Sequence, residues 1–126
     1  MESRFLRDER GTATMEFVVW FVPFMILLAM TVDASMLYLT HTEMWNVSRD
    51  IARRLSIGDM TEAEAVDYAR EELFLYNNAY TMATDVSADV TVIIGTSFED
   101  ASLFGIFGKV IDGDLVARVV MRREPT

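Results

Sequence analysis

Cysteine is absent from the 126-residue chain, which excludes disulfides and thiolate metal sites together. Histidine occurs once, as His41, so the usual zinc ligand sets cannot be assembled and a Ser/His/Asp triad has no second candidate for its base. His41 itself is expected as a polar residue on a helix surface. Basic residues are scarce too: 11 Lys and Arg stand against 20 Asp and Glu, a formal net charge of -9. Residues 1–11 hold three of each sign, so the deficit falls almost wholly on the remainder. An acidic surface disfavours nucleic acid, whose phosphates need cations opposite them. The acids are spread without a clustered pair or an accompanying base, and no reaction can be assigned to them. The chain is therefore read as a non-enzyme with no catalytic residue, no metal site and no cofactor.

Charge is missing altogether from Phe17 to Val32, "FVVWFVPFMILLAMTV". This run is apolar all round and has no polar face to turn to water. A spanning helix needs about 20 residues, a length reached if Ala13–Met15 and Ala34–Leu39 occupy the two interfaces. No small-residue cleavage site of the Ala-x-Ala kind follows, as a removable secretory signal would require, so the run is read as a retained anchor. Arg4, Arg7 and Arg10 lie close before it, whereas Arg49, Arg53 and Arg54 lie far beyond it. That asymmetry favours a cytoplasmic N-terminus. Pro23 removes a backbone bond to the Val19 carbonyl, a loss that spanning helices tolerate. Asp33 lies about 26 Å along the axis from Glu16, a separation that suits the two interfaces, and it is expected among the headgroups. Tyr38 and Trp45 fit an interfacial or just-outside position.

Proline and glycine are missing from Ala34 to Ile57, and the helix is expected to continue. Leu37, Met44, Val47, Ile51 and Leu55 form one apolar stripe, opposed by Glu43, Arg49, Asp50 and Arg53. A helix from Thr12 to Ser56 would be about 67 Å long, more than twice the hydrocarbon thickness, so its distal part projects as an amphipathic stalk. Gly58 ends it. Thr61 and Glu64 match a capping box that opens a second helix, with Val66, Ala69, Leu73 and Tyr76 as its apolar stripe and "YNNAYT" (76–81) as its exit. "VSADVTVII" (86–94) alternates as a strand, "DGD" (112–114) is a turn, and "LVARVVMRR" (115–123) is a second strand. The segment between them, "FEDASLFGIFGKVI", is read as irregular or a short helix. Two strands alone are marginal in water. The fold class is therefore α+β: a long N-terminal membrane-spanning helix extended into a stalk, then a second helix and a small antiparallel sheet packed on it.

Glu16 opens a separate question, because a carboxylate is carried to the mouth of the apolar run. Marking the interface is one answer. The other begins at Gly11. A cut on its carboxyl side would place a new amine on Thr12, one helical turn from Glu16. Amine and carboxylate could then neutralise each other, within one chain or between staggered neighbours in a bundle.

Gly11 followed by "TATMEF", with Glu16 at the fifth position after the glycine, Phe17 at the sixth and a hydrophobic helix behind, resembles the processing site of the type IV pilin superfamily. The eleven-residue leader and the Glu-Phe pair are similar in particular to the Tad (tight adherence) branch. The long continuation "VDASMLYLTHTEMWNVSRDIARRLSIG" resembles the TadE-like minor pilins, or pseudopilins, within it. The resemblance implies that residues 1–11 form a cytoplasmic prepilin leader, 12–39 the transmembrane helix and 40–126 an extracytoplasmic pilin-like domain. It implies cleavage between Gly11 and Thr12 by a membrane-embedded prepilin peptidase, with Glu16 as the assembly carboxylate and Phe17 as its apolar companion. The implied partners are the bacterial inner membrane, that peptidase, and other pilins with their assembly machinery. The implied location is a single-pass inner-membrane protein, with a surface pilus as a further destination. A different class stays open on the residues alone: a retained single-span anchor whose acidic outer domain binds a partner in an envelope complex.

Overall fold

A computed structural model describes residues 10–73 and 80–123 of the chain, with side chains from Gly11 onward. The expectations that fall on residues 1–9 and on 76–79, most of the leader and the exit of the second helix, lie outside the described residues. The elements run α1 (Arg10–Ser56), α2 (Glu62–Glu72), β1 (Thr81–Val86), β2 (Asp89–Ser97), α3 (Phe98–Ala101), α4 (Ile106–Val110) and β3 (Asp114–Arg122). The architecture is α+β, as expected.

The first helix is one piece over the 47 described residues Arg10–Ser56, about 70 Å at 1.5 Å per residue, and includes the whole of the expected 12–56. Its two halves differ in what surrounds them. From Gly11 to Leu28 every side chain is exposed, and this part is long and apolar enough to cross a membrane. From Asp33 onward a buried stripe appears. Met44, Val47, Ile51, Ala52 and Leu55 lie in the core, so the stalk stripe read from the sequence is the face on which the domain is built. On the free side, Thr31, Ser35 and Thr42 each donate their hydroxyl to the carbonyl four residues back, at 2.8–2.9 Å. That keeps those hydroxyls satisfied without water.

The helix ends as its sequence directs. Gly58 takes φ +75, its N–H donates to the Leu55 carbonyl and that of Asp59 to the Arg54 carbonyl, the paired bonds of a Schellman ending in which glycine alone is comfortable. The second helix opens on the expected capping box: Thr61 and Glu64 each cap the other's backbone N–H. These bonds hold the exposed Glu64 carboxyl below its ordinary value.

Two expectations are corrected. The buried stripe of α2 is Ala65, Ala69 and Leu73, whereas Val66 is exposed. Ala69 and Leu73 are buried as expected; Ala65 and Val66 both fit helical spacing with them, and it is the smaller Ala65 that joins the core shared with α1. The strand expected over 86–94 is present as β2, but it starts at Asp89; residues 86–88 are the end of another strand and a bend. β1 (81–86) was not anticipated, Ser87–Ala88 form the bend, and β2 runs from 89 to 97. The missed strand, "TMATDV", buries only half of its inner face, with Met82, Thr84 and Val86 partly covered. Its signal is correspondingly weak. β3 falls within one residue of its expected range.

The sheet is antiparallel in the order β1-β2-β3. Its inner face is three rows deep: Met82, Ile94 and Ala117; Thr84, Val92 and Val119; Val86, Val90 and Met121. Val90, Val92, Ile94 and Ala117 are fully buried and join the stripe of α1 and the alanines of α2 in one core.

A polar clasp joins the two long helices at their surface. Arg54 bonds Asp50 at 3.0 Å and lies 4.8 Å over the Tyr68 ring, while the Tyr68 hydroxyl donates to Asp50. That bond to an anion, assisted by partial burial, raises the Tyr68 pKa. A raised folded-state value means the contribution is complete below the ordinary tyrosine range and is lost as pH climbs through the folded pKa. Tyr68→Phe should cost about 1 kcal/mol at neutral pH. Thermal unfolding in detergent micelles checks it: the wild-type midpoint should fall more steeply above about pH 10 than that of Tyr68→Phe.

Candidate assembly site on the membrane-spanning helix

Gly11, Thr12, Glu16 and Phe17 all lie on the exposed first turns of α1. A Cβ added to Gly11 would meet nothing within 4 Å, and its φ lies outside the left-handed region. Neither packing nor backbone geometry calls for glycine here, where it weakens a helix by about 1 kcal/mol relative to Ala. Thr12 precedes Glu16 by one turn on the same face. Phe17 contacts Phe21, ring centroids 5.9 Å apart, and with Trp20 and Phe24 it lines an apolar notch. These four aromatics follow i, i+3, i+4, i+7 spacing and form a ridge, with Glu16 beside it above Trp20.

The ridge and the domain occupy opposite sides of the helix. At about 100° per residue, Phe17 and Asp33 are separated by roughly 160°, and the core positions Met44 and Ile51 fall on the Asp33 side. A neighbouring helix can therefore approach the aromatic ridge without meeting the α/β domain.

The Asp33 carboxylate does not face the headgroups as expected, because it is enclosed by the protein. It is fully buried, and its carboxylate accepts two backbone N–H bonds, from Phe104 at 2.7 Å and from Ile106 at 2.9 Å. Gly105 between them adopts φ +67, so the flanking amides converge on one point and form a small anion-binding nest. The same carboxylate serves the first turn of α4, whose own N-cap, Gly105, has no side chain to offer. Sequence reasoning placed Asp33 by depth alone. Its phase was informative: Asp33, Leu37, Thr40, Met44, Val47, Ile51 and Leu55 recur every three or four residues, which puts Asp33 at the head of the buried stripe.

The segment held by Asp33 is an excursion between β2 and β3. At its base the Phe98 N–H donates to the Gly113 carbonyl at 3.0 Å, and Ser97 caps α3 through the Asp100 N–H at 3.1 Å. A Cβ on Gly108 would come within 2.8 Å of the Glu99 backbone, and one on Gly113 within 2.8 Å of the Phe98 ring. Both glycines are thus required by close packing. His41 accepts a hydrogen bond from the Trp45 indole at 3.1 Å, a local surface pair on α1.

These features define a class: a chain with one long helix, bare over its apolar N-terminal half and clad by a small α/β domain over the rest. Residues 11–53 match the family model of TadE-like proteins, so the resemblance drawn from the Gly11–Phe17 pattern holds over the segment that carries it. The match covers most of α1, and the sheet lies beyond it. No curated protein and no solved structure matches the chain.

The Asp33 tie yields a direct test. Lys109 is the chain's one lysine and lies in α4, so a lysine-specific protease reports opening of the excursion at a single bond. Asp33→Asn turns one amide N–H donor against the nest and should lose on the order of 2 kcal/mol of local stability. Cleavage after Lys109 should accelerate roughly 30-fold, in proportion to the open population. Gly105→Ala, forced into the left-handed region, should accelerate it roughly 10-fold.

Proposed function

We propose that the chain is a minor pilin or pseudopilin of a Tad-type pilus, processed after Gly11 and used to prime or assemble the fibre. The observation that carries this reading is Glu16: a carboxylate on a fully exposed apolar helix, within the segment that matches the TadE-like family, with no hydrogen bond or ion pair among the described residues. A charge there is unfavourable in lipid unless a partner arrives. The freed amine of Thr12 on a neighbouring helix is such a partner, and the aromatic ridge beside Glu16 gives that neighbour a surface clear of the domain.

Processing has support of its own. Gly11 is exposed, and neither packing nor a left-handed backbone gives it a structural reason to be glycine. In this reading residues 1–11 face the cytoplasm, the prepilin peptidase of the inner membrane cuts between Gly11 and Thr12, and the domain lies on the periplasmic side. The role is structural. Other pilins and the assembly machinery are its partners.

Glu16→Gln tests the reading, with intact mass of the N-terminus measured beside co-purification with pilus components. The substitution leaves an ammonium without its partner in a low-dielectric bundle, a loss of roughly 3 to 5 kcal/mol. The expected result is protein that begins at Thr12, remains in the membrane and no longer joins its complex. Normal co-purification would remove the assembly role of Glu16. A chain still carrying its first eleven residues where the peptidase is active would favour a retained anchor.

A further inference from the structure

The excursion held by Asp33 carries an apolar surface that the described residues leave uncovered. Leu103 and Phe104 are 63% and 54% exposed, and Val110 and Ile111 are 75% and 49% exposed. Isolated apolar side chains on a surface need no explanation, but a group of them on one short segment does.

The position of this segment is fixed by its two bonds. The Phe104 and Ile106 amides lie within 2.9 Å of the Asp33 carboxylate, so the backbone between them lies level with the residue that ends the uncharged run. With a hydrocarbon layer about 30 Å thick and 1.5 Å of rise per residue, a span that starts between Ala13 and Phe17 ends between Val32 and Met36. Leu103 and Phe104 are thus held level with the end of the span, on the same short segment as Val110 and Ile111. Its charges are sorted in the same sense. The acids of the excursion, Glu99, Asp100, Asp112 and Asp114, flank its base. Residues 103–111 contain none, and they hold Lys109, exposed and the only lysine of the chain. A lysine can lay its stem along apolar surface while its ammonium reaches phosphate.

We propose that residues 103–111 enter the headgroup and upper acyl region of the leaflet on the domain side, as a second membrane contact beside the spanning helix, with Lys109 meeting lipid phosphate. The proposal rests on α1 spanning the membrane and is independent of the pilus reading. In a bilayer this contact holds the domain close to the surface. It also gives the segment a lipid partner that must be exchanged for protein if the subunit leaves the membrane.

Fluorescence quenching in vesicles tests the contact on the full chain. Phe104→Trp combined with Trp20→Phe and Trp45→Phe leaves one reporter on the excursion, and Trp45→Phe alone leaves Trp20 as the reference inside the span. Each is reconstituted in phosphatidylcholine and phosphatidylglycerol bearing bromines near the glycerol or near the methyl end of the acyl chain. The excursion reporter should emit to the blue of free tryptophan and be quenched most by the shallow bromines. Leu103→Trp in the same background should behave alike, which covers a failure of the first variant to fold. Quenching of Trp20 without quenching of either excursion reporter would overturn the proposal, whether water or a second protein copy covers the segment. An unquenched Trp20 would overturn the span itself and the proposal with it.

Discussion

A buried carboxylate between two backbone amides fixes the domain to the long helix at the end of its apolar half. Asp33 stands where the bare half of the helix gives way to the clad half. An anion removed from water at that point is tolerable only when its oxygens are met, and the Phe104 and Ile106 amides meet them. The requirement acts in both directions. The excursion between β2 and β3 needs an anchor for its tip, because its two short helices contain no fully apolar core of their own. Asp33 supplies it, and Gly105 supplies the backbone geometry that lets two amides point at one group.

From this tie the rest of the layout follows. The sheet is set on the stalk through Met44, Ile51 and their neighbours, and its far end is pinned at the membrane-proximal limit of that stripe. The domain therefore cannot swing about the end of the span as a bead on a flexible linker would. Its contact with α1 begins at the first residue beyond the uncharged run. The opposite side of the spanning half is left free, and there the aromatic ridge with Glu16 beside it stands open to another helix. One face of a single helix serves folding and the other is available for association.

Much of this was legible in the sequence, for identifiable reasons. Long uncharged runs, a proline-free and glycine-free continuation, the Thr61 and Glu64 pair and Gly58 each rest on local chemistry, and the elements they announced are present. The Gly11–Phe17 pattern led to the family that residues 11–53 match. What was missed depended on distant partners. β1 hides because Met82, Thr84 and Val86 are only partly covered at the sheet edge. Val66 was taken for a core residue because helical spacing cannot choose between adjacent phases, whereas packing against α1 can. Asp33 was placed by its depth, although its phase with Leu37, Thr40 and Met44 pointed inward. No local rule reveals that amides more than seventy residues away will close on it.

Amide hydrogen exchange in lipid nanodiscs measures the tie itself. Phe104 and Ile106 should exchange at least about a hundredfold more slowly than unprotected amides, and Asp33→Asn should speed their exchange roughly 30-fold while β2 stays protected. Rapid exchange of both amides in the wild type, or exchange that is unchanged by Asp33→Asn, would contradict the account.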